Sequence, residues 1–281
     1  MKFCVFVGVL CAQLGALAQS SPALWEYGVG FGLVHFEQYP ASNQSSNIFL
    51  PFPTFQYRGE IVRADDREGT RAYIFKKKLW SLEFSGGGYP PLDTSINDAR
   101  AGMEDLPWMF HLGPQVVGHL SENLELRIAL FQAISSDFSY TKFSGGINES
   151  QLIYRWLTEV NSLPLNGRVG LSVKVGTKDY LSTYFEVEPQ HVTSARGRHS
   201  SKGGILGTEV NYFQSIKSGK TSYYVGASVN DYSQSANKES PLHKANISVN
   251  YLVGMTYTLG QSERLSVPES QTEGIINKKK N

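Results

Sequence analysis

Cysteine is almost missing from this 281-residue chain, and its two examples, Cys4 and Cys11, both fall near the start. The rest of the sequence therefore has no disulfide framework, no thiolate zinc site and no cysteine nucleophile. Long apolar runs are missing too. Past the first eighteen residues no run reaches the ~18 apolar residues that a membrane-crossing helix needs. Excess charge of either sign is absent, with 26 Lys plus Arg against 25 Asp plus Glu, so the basic field that nucleic-acid binding requires is not there. The histidines are scattered, without metal-ligand spacing, and no cofactor is expected. If such a chain enters a membrane, it must do so as a closed barrel, which pairs all its backbone groups without an apolar helix.

What is present begins with an export signal. Met1-Lys2 is a short positive segment, Phe3 to Ala16 is apolar and too short to span, and Ala16-Leu17-Ala18 is a small-x-small cleavage site. Residues 1–18 are expected to be cleaved. Cys11 follows Leu10, where lipid attachment would need a small residue, so a lipoprotein is not expected.

The decisive signal is alternation at period two, the mark of a strand with two unlike faces. Trp25, Tyr27, Val29, Phe31 and Leu33 alternate with Glu26, Gly28, Gly30 and Gly32. Near the other end Ile247, Val249, Tyr251, Val253, Met255, Tyr257 and Leu259 share a face, with Leu252 an exception on the other. Weaker copies lie between. Gly is abundant at 27, Tyr and Phe number 15 each, and this composition suits strands and turns. The pattern predicts an all-β fold, an antiparallel transmembrane β-barrel of about 10–12 strands.

Short turns are expected at Asp65-Asp66-Arg67-Glu68-Gly69, Ser121-Glu122-Asn123 and Pro164-Leu165-Asn166-Gly167. Longer connections are expected over 37–47, 86–106, 135–150, 177–203 and 233–245. Lys76-Lys77-Lys78 gives a short link where a long one is expected. Gly86-Gly87-Gly88 reads as a hinge from strand to loop. Residues 19–260 form the expected barrel, and 261–281 a polar tail expected to be disordered.

A soluble barrel and a membrane barrel share this alternation and differ in which face meets water. The membrane version is favoured. Charges recur at mid-strand on the polar face: Glu26, Arg58, Glu60, Glu83, Glu125, Arg127, Arg155, Lys174 and Glu209. Trp25, Tyr57, Trp80, Trp108, Trp156 and Tyr257 sit near strand ends, as aromatic girdles do. The luminal charges either pair and plug a narrow interior or line a solute path; at 10–12 strands the interior is narrow.

Catalysis has one weak candidate, His119 with Ser121, in the manner of outer-membrane lipid hydrolases. Ser121-Glu122-Asn123 equally suits a plain turn, and no oxyanion donor can be named. Arg196-Gly197-Arg198-His199 reads as a solvated basic loop rather than a phosphate site.

The loop Arg100-Ala101-Gly102-Met103-Glu104-Asp105-Leu106 resembles the R-x-G-M-x-D-L signature of the MipA/OmpV family. Other pieces occur in order: Pro53 with Tyr57-Arg58-Gly59, Gly113-Pro114, and the block Tyr180-Leu181-Ser182-Thr183-Tyr184-Phe185-Glu186-Val187. Arg196 with Gly203-Gly204 and then Glu239-Ser240-Pro241-Leu242 complete the set. The resemblance covers about 25–259. It implies a bacterial outer-membrane barrel in contact with outer-membrane lipid, and a non-enzymatic scaffold between a murein transglycosylase and a murein synthase. A narrow solute channel is the alternative and a lipid-modifying barrel the remote one. Family barrels usually end on an aromatic residue, whereas this last strand ends near Leu259 with a polar tail behind it. Within the signature loop, Gly102 relieves a tight bend, Arg100 and Asp105 are expected to pair, and Met103 and Trp108 to pack in the barrel mouth. A partner contact through Arg100, Gly102, Met103, Asp105 and Leu106 is the other reading of this loop.

Overall fold

The computed structural model describes residues 22–65 and 69–267. Twelve strands close into one antiparallel barrel. They are β1 Trp25–Glu37, β2 Ser45–Arg58, β3 Val62–Asp65, β4 Gly69–Lys76, β5 Trp80–Tyr89 and β6 Trp108–His119. Then come β7 Leu124–Ser136, β8 Thr141–Val160, β9 Leu163–Gly176, β10 Gly204–Ser218, β11 Thr221–Asp231 and β12 Ile247–Gln261. Each strand pairs with its sequence neighbours, and β1 with β12 closes the ring.

The alternation read from the sequence becomes two faces of this ring. Tyr27, Val29, Phe31 and Leu33 stand outside and exposed, while Glu26, Gly28 and Gly30 are buried within. Ile247 to Leu259 on β12, Leu126, Ile128 and Leu130 on β7, and Leu171, Val173 and Val175 on β9 continue the outer belt. Left in water, each such side chain would forgo roughly 1.5–3 kcal/mol of burial, so the belt belongs in lipid. Among the described residues no helix is long and apolar enough to cross a membrane.

Connections 59–61, 77–79, 120–123, 161–162 and 219–220 lie at one end, together with the start of β1 and the end of β12. The long loops 38–44, 90–107, 177–203 and 232–246, with the short link 137–140, lie at the other. By the general asymmetry of outer-membrane barrels the turn end faces the periplasm.

Several local expectations are corrected. The four-residue β3 has too few residues to show alternation, and a count without it inverts the parity of the later connections. With β3 in place, Lys76-Lys77-Lys78 belongs to the turn end, where short links are the rule. Of the turn expected at 65–69, residues 66–68 lie outside the described residues, and Asp65 pairs with Gly69. Pro164 to Gly167 lie inside β9; the turn is Asn161-Ser162, both in the left-handed region at φ 52° and 63°. The loop expected at 135–150 shrinks to 137–140, because polar Asn148, Glu149 and Ser150 are strand residues of β8. Gly86-Gly87-Gly88 is strand, paired with Leu112, His111 and Phe110. Leu206 turns inward through a bulge between Ile205 and Gly207. Trp108 faces outward beside Phe110 and Phe138 instead of packing in the mouth.

The expected signal peptide, 1–18, lies outside the described residues. Beyond β12 the chain stays ordered to Val267: Leu265 bridges to Ala23, and Arg63 Nη2 donates to the Val267 carbonyl at 3.0 Å. The remainder of the expected tail, 268–281, lies outside the described residues.

Candidate functional site: the plug and the charged lumen

The loops fold back into the loop-end mouth and build a packed plug. Its apolar centre includes Tyr39, Leu92, Leu106, Met109, Tyr180, Leu181, Tyr184, Phe185, Val187, Leu206 and Leu242. A single helix, α1 Lys178–Phe185, supplies four of these, capped by the Thr177 hydroxyl, which accepts from the Tyr180 N–H.

Polar side chains satisfy the loop backbones that packing has removed from water. Arg100 is 4% exposed, donates from Nη1 to the Tyr184 carbonyl at 3.1 Å and lies over the Tyr39 ring. The expected Arg100–Asp105 pair does not form. Asp105 instead accepts from the Thr94 N–H at 2.8 Å and its hydroxyl at 3.0 Å, because a buried carbonyl and an unpaired loop N–H each claim the nearer partner. Gly102 takes φ +77°, a bend that only glycine makes without strain. Met103 packs against the plug and Leu106 is buried in it. Arg196, expected in a solvated loop, is buried and clamps the signature loop through the carbonyls of Ala99 and Ala101, at 2.9 and 3.1 Å. Ser240 donates to the Phe185 carbonyl at 2.7 Å, and Tyr39 to that of Leu242 at 2.8 Å. Burial holds the Arg100 guanidinium down to about 10 and pushes the Tyr39 phenol up to about 12.

The signature loop, the Tyr180–Val187 block, Arg196 and Ser240-Pro241-Leu242 thus meet in one packed unit. A family model described as MltA-interacting protein MipA matches residues 29–259. The chain belongs to this family. It is a MipA-family barrel of the bacterial outer membrane. No curated protein matches it. Among solved structures, LpxR from Salmonella typhimurium is similar at 6% identity over 82% of this chain and 99% of that one, TM-score 0.32. A bacterial polysaccharide outer membrane secretin is similar at 10% identity, covering 86% and 100%, TM-score 0.39. OprB from Pseudomonas putida is similar at 9% identity, covering 85% and 99%, TM-score 0.32. Likenesses this remote say nothing of activity.

Below the plug, the lumen of the MipA-family barrel is charged and paired. At the turn end Glu26 holds Arg58 at 2.7 Å and Lys217 at 3.3 Å. Midway, Glu125 holds Arg127 at 2.9 Å and Arg155 at 3.2 Å, and Glu83 accepts from Ser81 at 2.5 Å. Under the plug Lys174 lies 2.7 Å from Glu209 and 3.8 Å from Glu149. Glu60 is the exception among the expected luminal charges: it sits in the 59–61 turn, past the end of β2. Sequence reasoning misses Arg63, Arg71, Arg168 and Lys217. Arg63 and Arg71 lie on or beside the unread β3, while Arg168 and Lys217 stand on the inward parity of β9 and β10, where a count would have found them.

His119 and Ser121 take other partners. His119 lies 3.6 Å from Glu125, and the Ser121 hydroxyl accepts from the Asn123 and Leu124 N–H groups at 3.3 and 3.1 Å, closing a turn.

Proposed function

We propose that this MipA-family barrel is a non-conducting membrane anchor whose turn end presents a docking face to murein enzymes: a lytic transglycosylase, as the family's description suggests, and with it a murein synthase. The observation that carries this reading is a set of apolar side chains on neighbouring turns. Ile61, Leu79 and Leu120 stand 47%, 67% and 60% exposed on connections 59–61, 77–79 and 120–123. Apolar groups on the tips of turns suit burial against a partner. The plug supports the same reading from the other side, because a packed loop core across the mouth obstructs solute.

Photo-crosslinking in intact cells tests it. Crosslinkers at Leu79 and Leu120 are expected to capture a transglycosylase, and a crosslinker at Val192 in loop 177–203 to capture none. Leu79→Glu with Leu120→Glu should abolish capture while the barrel still resists SDS. Absence of murein-enzyme adducts from every turn position would remove the scaffold reading.

The second reading, a narrow channel, draws on cavities that run up from the turn end. One of about 390 Å³ is lined by Arg58, Arg155 and Lys217 among others, and another of about 320 Å³ reaches His111 and Lys174 beneath the plug. Steady conductance of the unaltered barrel in planar bilayers would favour it.

A further inference from the structure

Among the described residues the barrel wall is incomplete between β2 and β5. β2 has a full ladder with β1, from Trp25–Tyr57 to Glu37–Ser45. On its other edge it pairs with β3 only at Tyr57–Ala64 and Arg58–Arg63. β3 then ends, since Asp65 already pairs with Gly69 of β4. Residues 45–56 of β2 therefore have no ladder partner on that edge among the described residues. β5 mirrors this: its pairing with β4 stops at Arg71–Ser85, which leaves 86–89 without a ladder partner on the same side among the described residues.

The result is a window. Its sides are β2 and β5, and its sill is the paired part of β3 and β4, up to Asp65–Gly69. Its lintel is loop 90–107, which reaches loop 38–44 through Asn97 Nδ2 to Gln38 at 2.6 Å and the Asp98 N–H to Gln44 at 2.8 Å. Three strand spacings of ~4.8 Å make the gap roughly 14 Å wide. Tyr57 lies at the turn-end girdle, and ~9–11 residues of a tilted strand cross the hydrocarbon. The free edge of β2 therefore faces acyl chains, not water.

Two details fit that setting. Pro51 and Pro53 lie on this edge strand. Proline keeps to edges, where its missing donor costs no ladder bond, and it equally discourages a partner strand from adding there. The inner lip of the window is also apolar: Leu50 is 50% and Phe52 40% exposed, although β2's inward parity places both inside. Phe52 lies on Gly30, where an added Cβ would sit 2.5 Å from its ring. Ile48, Val34 and Leu252 continue the apolar strip across β1 to β12 by direct pairing. Leu252 and Phe213 meet over Gly226, and the Arg168 guanidinium lies 5.2 Å over the Phe213 ring. A cavity of about 380 Å³ joins the two chemistries: Val34, Leu252 and Phe213 on one side, Arg127, Arg168 and Gln151 on the other. Glu209 also lines it and is held by Lys174 at 2.7 Å.

We propose that the window is a lateral port through which an acyl chain of an anionic glycerophospholipid enters the lumen. The chain lies along the glycine-floored strip, and the phosphate meets Arg168 and Arg127. The surrounding bilayer supplies the apolar part of the occupant, and the guanidinium side of the cavity complements its charge. The inference stands independently of the scaffold reading.

Native mass spectrometry of the full chain, extracted in detergent and titrated with phosphatidylglycerol, tests it. Only protein that migrates compactly in SDS without heating is compared. At activation that strips surrounding lipid, a single phosphatidylglycerol is expected to remain on the unaltered barrel. Leu50→Lys and, separately, Phe52→Gln should each lower retention about tenfold, since both place a polar group on the strip. Arg168→Gln should lower retention of phosphatidylglycerol but not of diacylglycerol. Phe49→Ala, which faces outward, should change nothing. A barrel stripped bare, equal loss with Phe49→Ala, retention unchanged in both strip variants, or a bound peptide or second chain in place of lipid would each overturn the proposal.

Discussion

Phe185 is the place to ask whether the plug closes the lumen. It is the last residue of α1, is 0% exposed, meets Tyr184 edge-on and stacks on His243. Phe185→Ala removes a wholly buried ring and leaves a cavity, which costs about 3–5 kcal/mol where the surroundings cannot collapse. The cost falls on the plug alone, because the twelve-strand ladder continues without it. Local opening then becomes easier by that same amount, and at about 1.4 kcal/mol per decade the open-to-closed ratio rises roughly two to three and a half decades. Planar-bilayer recording is the assay. The parent should be silent apart from rare events, and Phe185→Ala should conduct in bursts through the cavities below the plug. Val173→Ala, a lipid-facing control, should behave as the parent. Both variants should keep heat-modifiable migration. If Phe185→Ala stays silent while amide exchange in 177–203 shows the loop open, the plug is not what closes the lumen and the argument fails. A parent that conducts steadily defeats it as well.

Three further outcomes rest on the same geometry. Glu125 holds both Arg127 and Arg155 within 3.2 Å, so Glu125→Gln should weaken the barrel by about 3–5 kcal/mol; an unchanged temperature for losing the compact SDS form would contradict this. Gly102 has φ +77° with open space where a Cβ would sit, so Gly102→Ala should strain the loop by about 1 kcal/mol without a clash. Amide exchange over 90–107 should quicken about fivefold, and unaltered exchange would show the bend to be relaxed. Burial raises the Tyr39 phenol from 10.0 to about 12. With the folded value above the ordinary one, its contribution is whole below pH 10 and lost as pH climbs through about 12, on the order of 3 kcal/mol in total. Tyr39→Phe should keep the plug closed to higher pH, read by tyrosinate absorbance together with conductance; identical opening in both proteins would assign the alkaline transition to other groups.

How much of this was legible beforehand varies along the chain. Where a strand crosses lipid, alternation is enforced residue by residue, so β1, β7, β9 and β12 could be read directly. Where strands run past the lipid, as in β8 from Thr141 to Ser150, the outer face no longer needs to be apolar and the signal fades. Turns such as Asn161-Ser162 depend on backbone angles that side chains mark only weakly. The signature loop was found by resemblance, yet its partners were misread, since Arg100 and Asp105 look like a pair in sequence and serve different backbones in space.

By itself the sequence determined the two faces, the closed barrel and the family, because side-chain period, charge placement and short motifs are local properties of the chain. Only the tertiary structure decided that the loops form a plug, that Arg196 clamps Ala99 and Ala101, that Glu125 serves two arginines, and that β2 outruns β3 to leave a window. Each of these joins residues far apart in the chain or turns on the length of a strand's neighbour, and neither distance across a barrel nor missing neighbours leave a periodic trace.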